Sequence, residues 1–262
     1  MPPLIPYSKD SSVDLFAFPP IAALLQFVYS LVSGLAALVT PLAGSAAAAL
    51  AIVVLTLIVR ALLIPVSVSQ VKAEWHRRRL APKLKALQDK YKKKPELLQQ
   101  KTMALYKAEN VSPFAGFLPT LLQAPVVSLV YALFLHPTIA GEPNTLLAAH
   151  LGPATLGSSV FTAGWPGALV FLALFAAMAV VAWLSRSTAL RLALPGPDVT
   201  ALLPRILSWL PFLSVVFAAF VPLAAALYLA TTTAWTLVER ALLRRRYWGD
   251  RGVAGAVASP AR

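Results

Sequence analysis

The 262-residue chain contains no cysteine, three histidines and only ten acidic residues. Without cysteine there is no disulfide, no thiolate metal site, no thiol nucleophile and no lipid-modified N-terminal cysteine. The histidines are scattered, His76 in a basic stretch and His136 and His150 in a Gly/Pro-rich loop. No HExxH, no paired carboxylates, no glycine-rich phosphate loop and no GxSxG occurs, so the residues argue against an enzyme and imply neither metal nor small-molecule cofactor. A proton-coupled pump normally carries carboxylates or histidines within its spans, and none lies mid-span here. Charge is scarce throughout, at 13% of residues where a soluble domain has about 25%. Residues Met1–Ser12 lack a basic n-region leading into an apolar run, so neither a signal peptide nor a transit peptide is expected.

What fills the chain instead is apolar: 58% of residues are hydrophobic and the mean hydropathy is +0.72. Such a chain cannot cover its surface with polar groups, and lipid is its natural solvent. The length allows one compact membrane domain with several spans of about 20 residues each. Residues 1–44 read as an extracytoplasmic N-terminus whose apolar stretch Asp14–Leu38, broken by Pro19, Pro20, Ser33 and Gly34, forms an amphipathic interfacial helix; a full extra span is the alternative. Residues 45–69 form a first span. Residues 70–112 hold twelve basic residues, Lys72 to Lys107, against Glu74, Asp89, Glu96 and Glu109. There Leu80, Leu84, Leu87 and Tyr91, then Leu98, Thr102 and Leu105 past Pro95, recur at helical spacing and predict a basic helical hairpin outside the bilayer. A second span (113–135), a loop without Lys or Arg (136–164) and a third span (165–184) with tryptophans at both ends follow. A short loop (185–204) leads to about 35 apolar residues (205–239), enough for two short spans with the turn at Pro222. A basic tail (240–262) closes the chain.

With five spans the loops alternate sides, and every basic segment falls on the same side. The positive-inside rule puts that side in the cytoplasm, with the N-terminus outside and the C-terminus inside. Topology therefore accounts for the net charge of +13 without nucleic acid; contact with a ribosome or anionic lipid would be additional.

Three sets of polar residues stand out. Arg60 lies roughly seven to ten residues before the cytoplasmic end of the first span, on the order of 10–15 Å deep at 1.5 Å per residue. A buried arginine costs about 2.5–3.5 kcal/mol or more and faces a bundle interior or wet cavity, unless it snorkels to the inner interface. Thr120 and Gln123 share one face of the second span, flanked by Pro119 and Pro125; a groove lining and ordinary interhelical hydrogen bonding both fit. In the last span Tyr228, Thr232, Trp235 and Glu239 form a polar stripe, and Thr231, Thr233 and Thr236 add hydroxyls. Groove lining and helix-packing glue are again the two readings.

The stretch from Leu57 to Ala73, LIVRALLIPVSVSQVKA, resembles the Oxa/YidC family of membrane protein insertases in its first-span arginine followed by a proline and a glutamine. Leu80 to Phe134 is similar to that family's basic hairpin and second span, with Pro113, Gly116, Leu118, Pro119, Gln123 and Pro125. Val221 to Arg245 resembles its last span, where Thr232 and Thr233 stand in place of frequent asparagines. The resemblance implies an all-α membrane protein of the bacterial cell membrane. Its five transmembrane helices would form a cytoplasm-open hydrophilic groove, beside the interfacial helix and the cytoplasmic hairpin. It further implies an insertase and chaperone without cofactor, with Arg60, Thr120, Gln123, Tyr228, Thr231, Thr232, Trp235 and Thr236 lining the groove. Its partners would be nascent membrane proteins, the ribosome, a Sec translocon and anionic lipids. From the residues alone, a small anion transporter or channel using Arg60 and a membrane scaffold remain the alternatives.

Overall fold

The structure, a computed structural model, describes residues 18–109, 111–112, 128–129, 131–139, 141–192 and 206–248. It is mostly helical. Helix α1 (Pro19–Ala43) begins on Pro19 and Pro20, where the missing N–H groups cost nothing because the first turn has no acceptor for them. It ends at Gly44, whose φ of 53° is open to glycine without strain. The helix thus runs through Ser33 and Gly34, which break the apolar pattern without breaking the backbone. One 3-10 turn leads to α2 (Ala47–Leu62), and α1 packs along α2.

Helix α3 (Ile64–Tyr91) follows after the single non-helical residue Leu63. Pro65 explains the break, since it cannot donate to a carbonyl of the preceding turn. The apolar pattern fades near Ser69, yet the helix continues through the basic segment to Tyr91. Helix α4 (Pro95–Ala108) returns antiparallel. Lys83 donates to the Glu109 carboxylate, Arg79 pairs with it at 3.6 Å, and Ala86, Leu87, Ala104 and Leu105 line the seam.

Residues 131–135 are helical, and the segment after them is an ordered cap. Strands β1 (Thr138–Ile139) and β2 (Glu142–Pro143) pair antiparallel, helix α5 (Thr145–Ala148) is a single turn, and β3 (His150–Leu151) pairs with β4 (Ala154–Thr155). Gly141 (φ 84°) and Gly152 (φ 58°) make the two reversals. Asn144 is buried; its Nδ2 donates to the carbonyls of Leu133 (2.7 Å) and His136 (3.1 Å), capping groups a helix end leaves unpaired. Within this stretch, read from sequence as a loop, Ile139, Leu146, Ala154 and Leu156 bury themselves in the main core.

Helix α6 (Gly164–Arg191) is apolar along most of its 28 residues. Helix α7 (Leu210–Phe220) and helix α8 (Leu223–Trp248) are separated by Val221 and Pro222. Two helical runs, Pro19–Leu62 and Gly164–Arg191, are long and apolar enough to cross a membrane, and Leu210–Phe220 is a shorter apolar helix. Most of the expected second span, Pro113–Leu135, lies outside the described residues.

The core is concentrated at one end of the bundle. It joins Leu25 and Val32 of α1, Ile52 and Leu55 of α2, Leu133 and Phe134, the cap, Phe171 of α6, and Leu223–Ala225 with Tyr228 of α8. The first N–H groups of α8 are satisfied by the cap: Leu223 donates to Ser158 and Ala224 to Leu156, both at 2.9 Å. The cap therefore seals the end of the bundle from which α8 starts.

Candidate functional site

Helix α8 changes character along its length. Leu223 to Ala226 and Tyr228 are buried, whereas every residue from Leu229 to Leu237 is only partly buried, whichever way it points. Tyr228 closes the dry part, meeting Tyr131 edge to face with ring centroids 6.5 Å apart. Beyond it the packing opens.

Arg60 stands at the corresponding level of α2, which packs against α8. One and two turns earlier on the same face, Thr56 and Ile52 are buried, and the Thr56 hydroxyl donates to the Ile52 carbonyl at 2.7 Å. Arg60 itself is half-buried and makes no hydrogen bond or ion pair among the described residues. Together with Glu74, Glu239 and Arg244 it is among the charges that act on Arg240, so five charged side chains share this end of the bundle. Three of them are arginines, Arg60, Arg240 and Arg244, and the two glutamates balance them only in part.

The expected polar stripe of α8 carries buried atoms that find no partner among the described residues. These are Thr232 Oγ1, Trp235 Nε1 and Glu239 Oε1, buried and without a hydrogen-bond partner among the described residues. Residues 232, 235 and 239 fall on one helical face, continuous with Tyr228. A buried polar atom left unpaired costs about 1–3 kcal/mol. Thr231 donates to the Leu227 carbonyl at 2.8 Å. Thr236 donates to Thr232 and lines a different cavity, between α6, α7 and α8. Thr120 and Gln123 lie outside the described residues.

Sequence reasoning did not find the clasp that ties α3 to the end of α8. Glu74 receives Arg244 at 3.1 Å and Arg78 at 3.3 Å. Both guanidinium groups stack on Trp248, at 4.8 Å for Arg78 and 5.4 Å for Arg244. Arg78 also donates to the Leu192 carbonyl beyond α6. Glu74 and Arg244 are 170 residues apart, and no periodicity links them. Outside the spans, the hydrogen bond from Lys83 holds the Glu109 carboxyl below its ordinary value of 4.5, aided by the charges of Lys83 and Arg79.

Residues 39–250 match the model of a family described as 60Kd inner membrane protein. A protein of Oceanobacillus iheyensis named membrane protein insertase YidC is 30% identical over 201 residues, covering 75% of this chain and 74% of that protein. A Clostridium perfringens protein of the same name is 35% identical over 115 residues, 44% of this chain and 48% of the relative. A Burkholderia mallei protein, again so named, is 36% identical over 97 residues, 37% of this chain and 17% of its own length. The match thus spans about half of the Clostridium relative and a small part of the Burkholderia one. With the family match running through α2, the hairpin, the cap and α8, the chain belongs to the 60Kd inner membrane protein family.

Proposed function

We propose that this chain is a membrane protein insertase and chaperone of the bacterial cell membrane, working through a hydrophilic groove between α2 and α8 that holds Arg60. The observation that carries the reading is the α8 stripe: three buried polar atoms without partners among the described residues, on the helix that packs against the arginine's own helix. Water in the groove would satisfy those atoms until a substrate's polar segment replaces it. Moving a polar tail through lipid costs several kcal/mol for each unpaired group, and a wet groove shortens the dry part of the path. Arg60 attracts acidic residues of the substrate, and the apolar segment leaves sideways into lipid. No nucleotide or metal enters this scheme.

Five spans complete the proposed architecture: α2 with the start of α3, residues 113–135, α6, α7 and the apolar part of α8. The cap lies outside, where it stoppers the groove, and the hairpin and basic tail lie in the cytoplasm. Contacts of α1 with the cap support the interfacial reading of that helix: Tyr29 bonds Thr145 at 2.8 Å, and the turn after α1 touches β3. Thr120 and Gln123 would line the groove from the second span. Nascent membrane proteins are the proposed substrates. The hairpin and tail are suited to a ribosome and to anionic lipids, and a Sec translocon is a further proposed partner.

The test is insertion of a small single-span substrate with an acidic outer tail into proteoliposomes. Wild-type protein should protect the tail from protease. Arg60→Ala should lower the rate on the order of tenfold, the equivalent of about 1.4 kcal/mol. No insertion above empty liposomes by folded wild-type protein would sink the proposal, and chloride flux abolished by Arg60→Ala would favour an anion channel in its place.

A further inference from the structure

On the side of α8 away from the unpaired stripe, a cavity of about 330 Å³ opens between α6, α7 and α8. Met178, Val181 and Leu237 belong to its apolar lining, and Arg240 and Arg244 line it further along α8. From Thr233 to Arg244 the wall follows eleven residues of α8, roughly 16 Å at 1.5 Å per residue. The cavity is therefore elongated and amphipathic along its length. Close in sequence to the lining residues Ser185 and Pro211, Arg186 stacks on Trp209 with the guanidinium 4.2 Å from the ring centroid, a pairing suited to headgroup depth.

The hydroxyls of the wall narrow the chemistry of the occupant. Thr188 donates to Leu184, Ser214 to Pro211, Thr233 to Leu229 and Thr236 to Thr232, all at 2.7–2.8 Å. A hydroxyl has a single proton, so these four present only lone pairs to the cavity. Apart from Ser185, the donors left are the two guanidinium groups. Arg244 is held by Glu74, but Arg240 has no hydrogen bond or ion pair among the described residues, and charges of both signs, Arg244 and Arg60 against Glu74 and Glu239, act on it from a distance. An anion rich in acceptors, joined to something apolar, would match these donors and this wall.

We propose that this cavity binds one anionic phospholipid, its phosphate on Arg240 and Arg244 and an acyl chain along Met178, Val181 and Leu237. The proposed topology makes it a lipid of the cytoplasmic leaflet; the binding itself does not depend on the insertase reading. A planar guanidinium offers paired N–H donors to phosphate oxygens, which is why arginine at the mouth suits this ligand.

The experiment titrates delipidated full-length protein in dodecyl maltoside with phosphatidylglycerol, phosphatidylcholine or glycerol phosphate, following the melting temperature and the bound lipid by native mass spectrometry. Phosphatidylglycerol should raise the melting temperature saturably and remain bound as one copy, with the other two inactive. Arg240→Gln should weaken it at least tenfold, whereas Arg191→Gln, an exposed charge outside the cavity, should not. Ala189→Trp, which blocks the mouth and leaves the charges in place, should also abolish the effect and covers the case that Arg240→Gln misfolds. Equal shifts from phosphatidylcholine, or a shift retained in Ala189→Trp, would overturn the site. An equal shift from glycerol phosphate would replace the lipid by a small phosphate compound. Lipid binding is read without any substrate, so its failure is distinct from failure of insertion.

Discussion

Replacing Asn144 should unseat the cap. The side chain is buried, and its Nδ2 closes two carbonyls, Leu133 at 2.7 Å and His136 at 3.1 Å. Each neutral bond contributes about 0.5–1.5 kcal/mol net, and a carbonyl left bare costs about 1–3 kcal/mol. Against this, Oδ1 has no partner among the described residues, so its removal in Asn144→Ala returns part of the loss. The expected destabilisation is roughly 1–3 kcal/mol. Asn144→Asp keeps the volume but turns an oxygen toward both carbonyls. It should be worse than alanine at neutral pH and recover on acidification, because only the protonated acid can donate. Equilibrium unfolding of the purified chain in mixed micelles, followed by far-UV circular dichroism, measures both. An alanine variant within about 0.5 kcal/mol of wild type, or an aspartate variant as stable as alanine at pH 7, would refute the reasoning.

Three further outcomes are expected. Because the folded value of Glu109 is lowered, chiefly by the Lys83 hydrogen bond, hairpin closure gains from it fully above 4.5 and loses that gain as pH falls through the lower folded value,; spin labels at Ala86 and Ala104 should separate on acidification in wild type and show no such transition in Glu109→Gln. Glu74→Gln and Arg244→Gln should be non-additive, with a coupling of about 0.5–3 kcal/mol in a double-mutant unfolding cycle; strict additivity would mean that the clasp is idle. Gly157→Ala would place its Cβ 2.9 Å from the Leu147 carbonyl oxygen and should cost about 1–3 kcal/mol by overpacking, readable in the same unfolding assay.

Much of the helical framework was legible in the chain because apolar runs and prolines act locally. Pro19 and Pro20 start α1, Pro65 breaks α2 from α3, Pro95 starts α4, and Pro222 divides α7 from α8. Leu80, Leu84, Leu87 and Tyr91 are the least exposed positions of their part of α3, as their spacing predicts. Helix ends were less legible. Hydropathy falls near Ser69, Leu184 and Glu239, but the helices run on to Tyr91, Arg191 and Trp248, because leaving an apolar environment does not require leaving the helix. The cap was hidden for another reason: two-residue strands are too short to leave a period, and a single buried Asn144 organises them. In the site, the Tyr228, Thr232, Trp235 and Glu239 stripe follows from spacing alone. That its hydroxyl, indole and carboxylate atoms lack partners depends on neighbours distant in sequence, as does the Glu74 clasp.

The near-continuity of α2 and α3 has a mechanical consequence. Helix α3 has 28 residues, about 42 Å of stiff rod at 1.5 Å each, and the break at Leu63, three residues from Arg60, is its natural fulcrum. A tilt of about 10° there would swing the hairpin tip roughly 7 Å while displacing Arg60 hardly at all. Glu74 grips the rod only eleven residues from the fulcrum, so the clasp to Arg244 works at about 16 Å, well under half the arm. Whatever pulls on the tip acts on that clasp with mechanical advantage. A weak load at the far end of the hairpin is thereby multiplied where α3 meets the last helix.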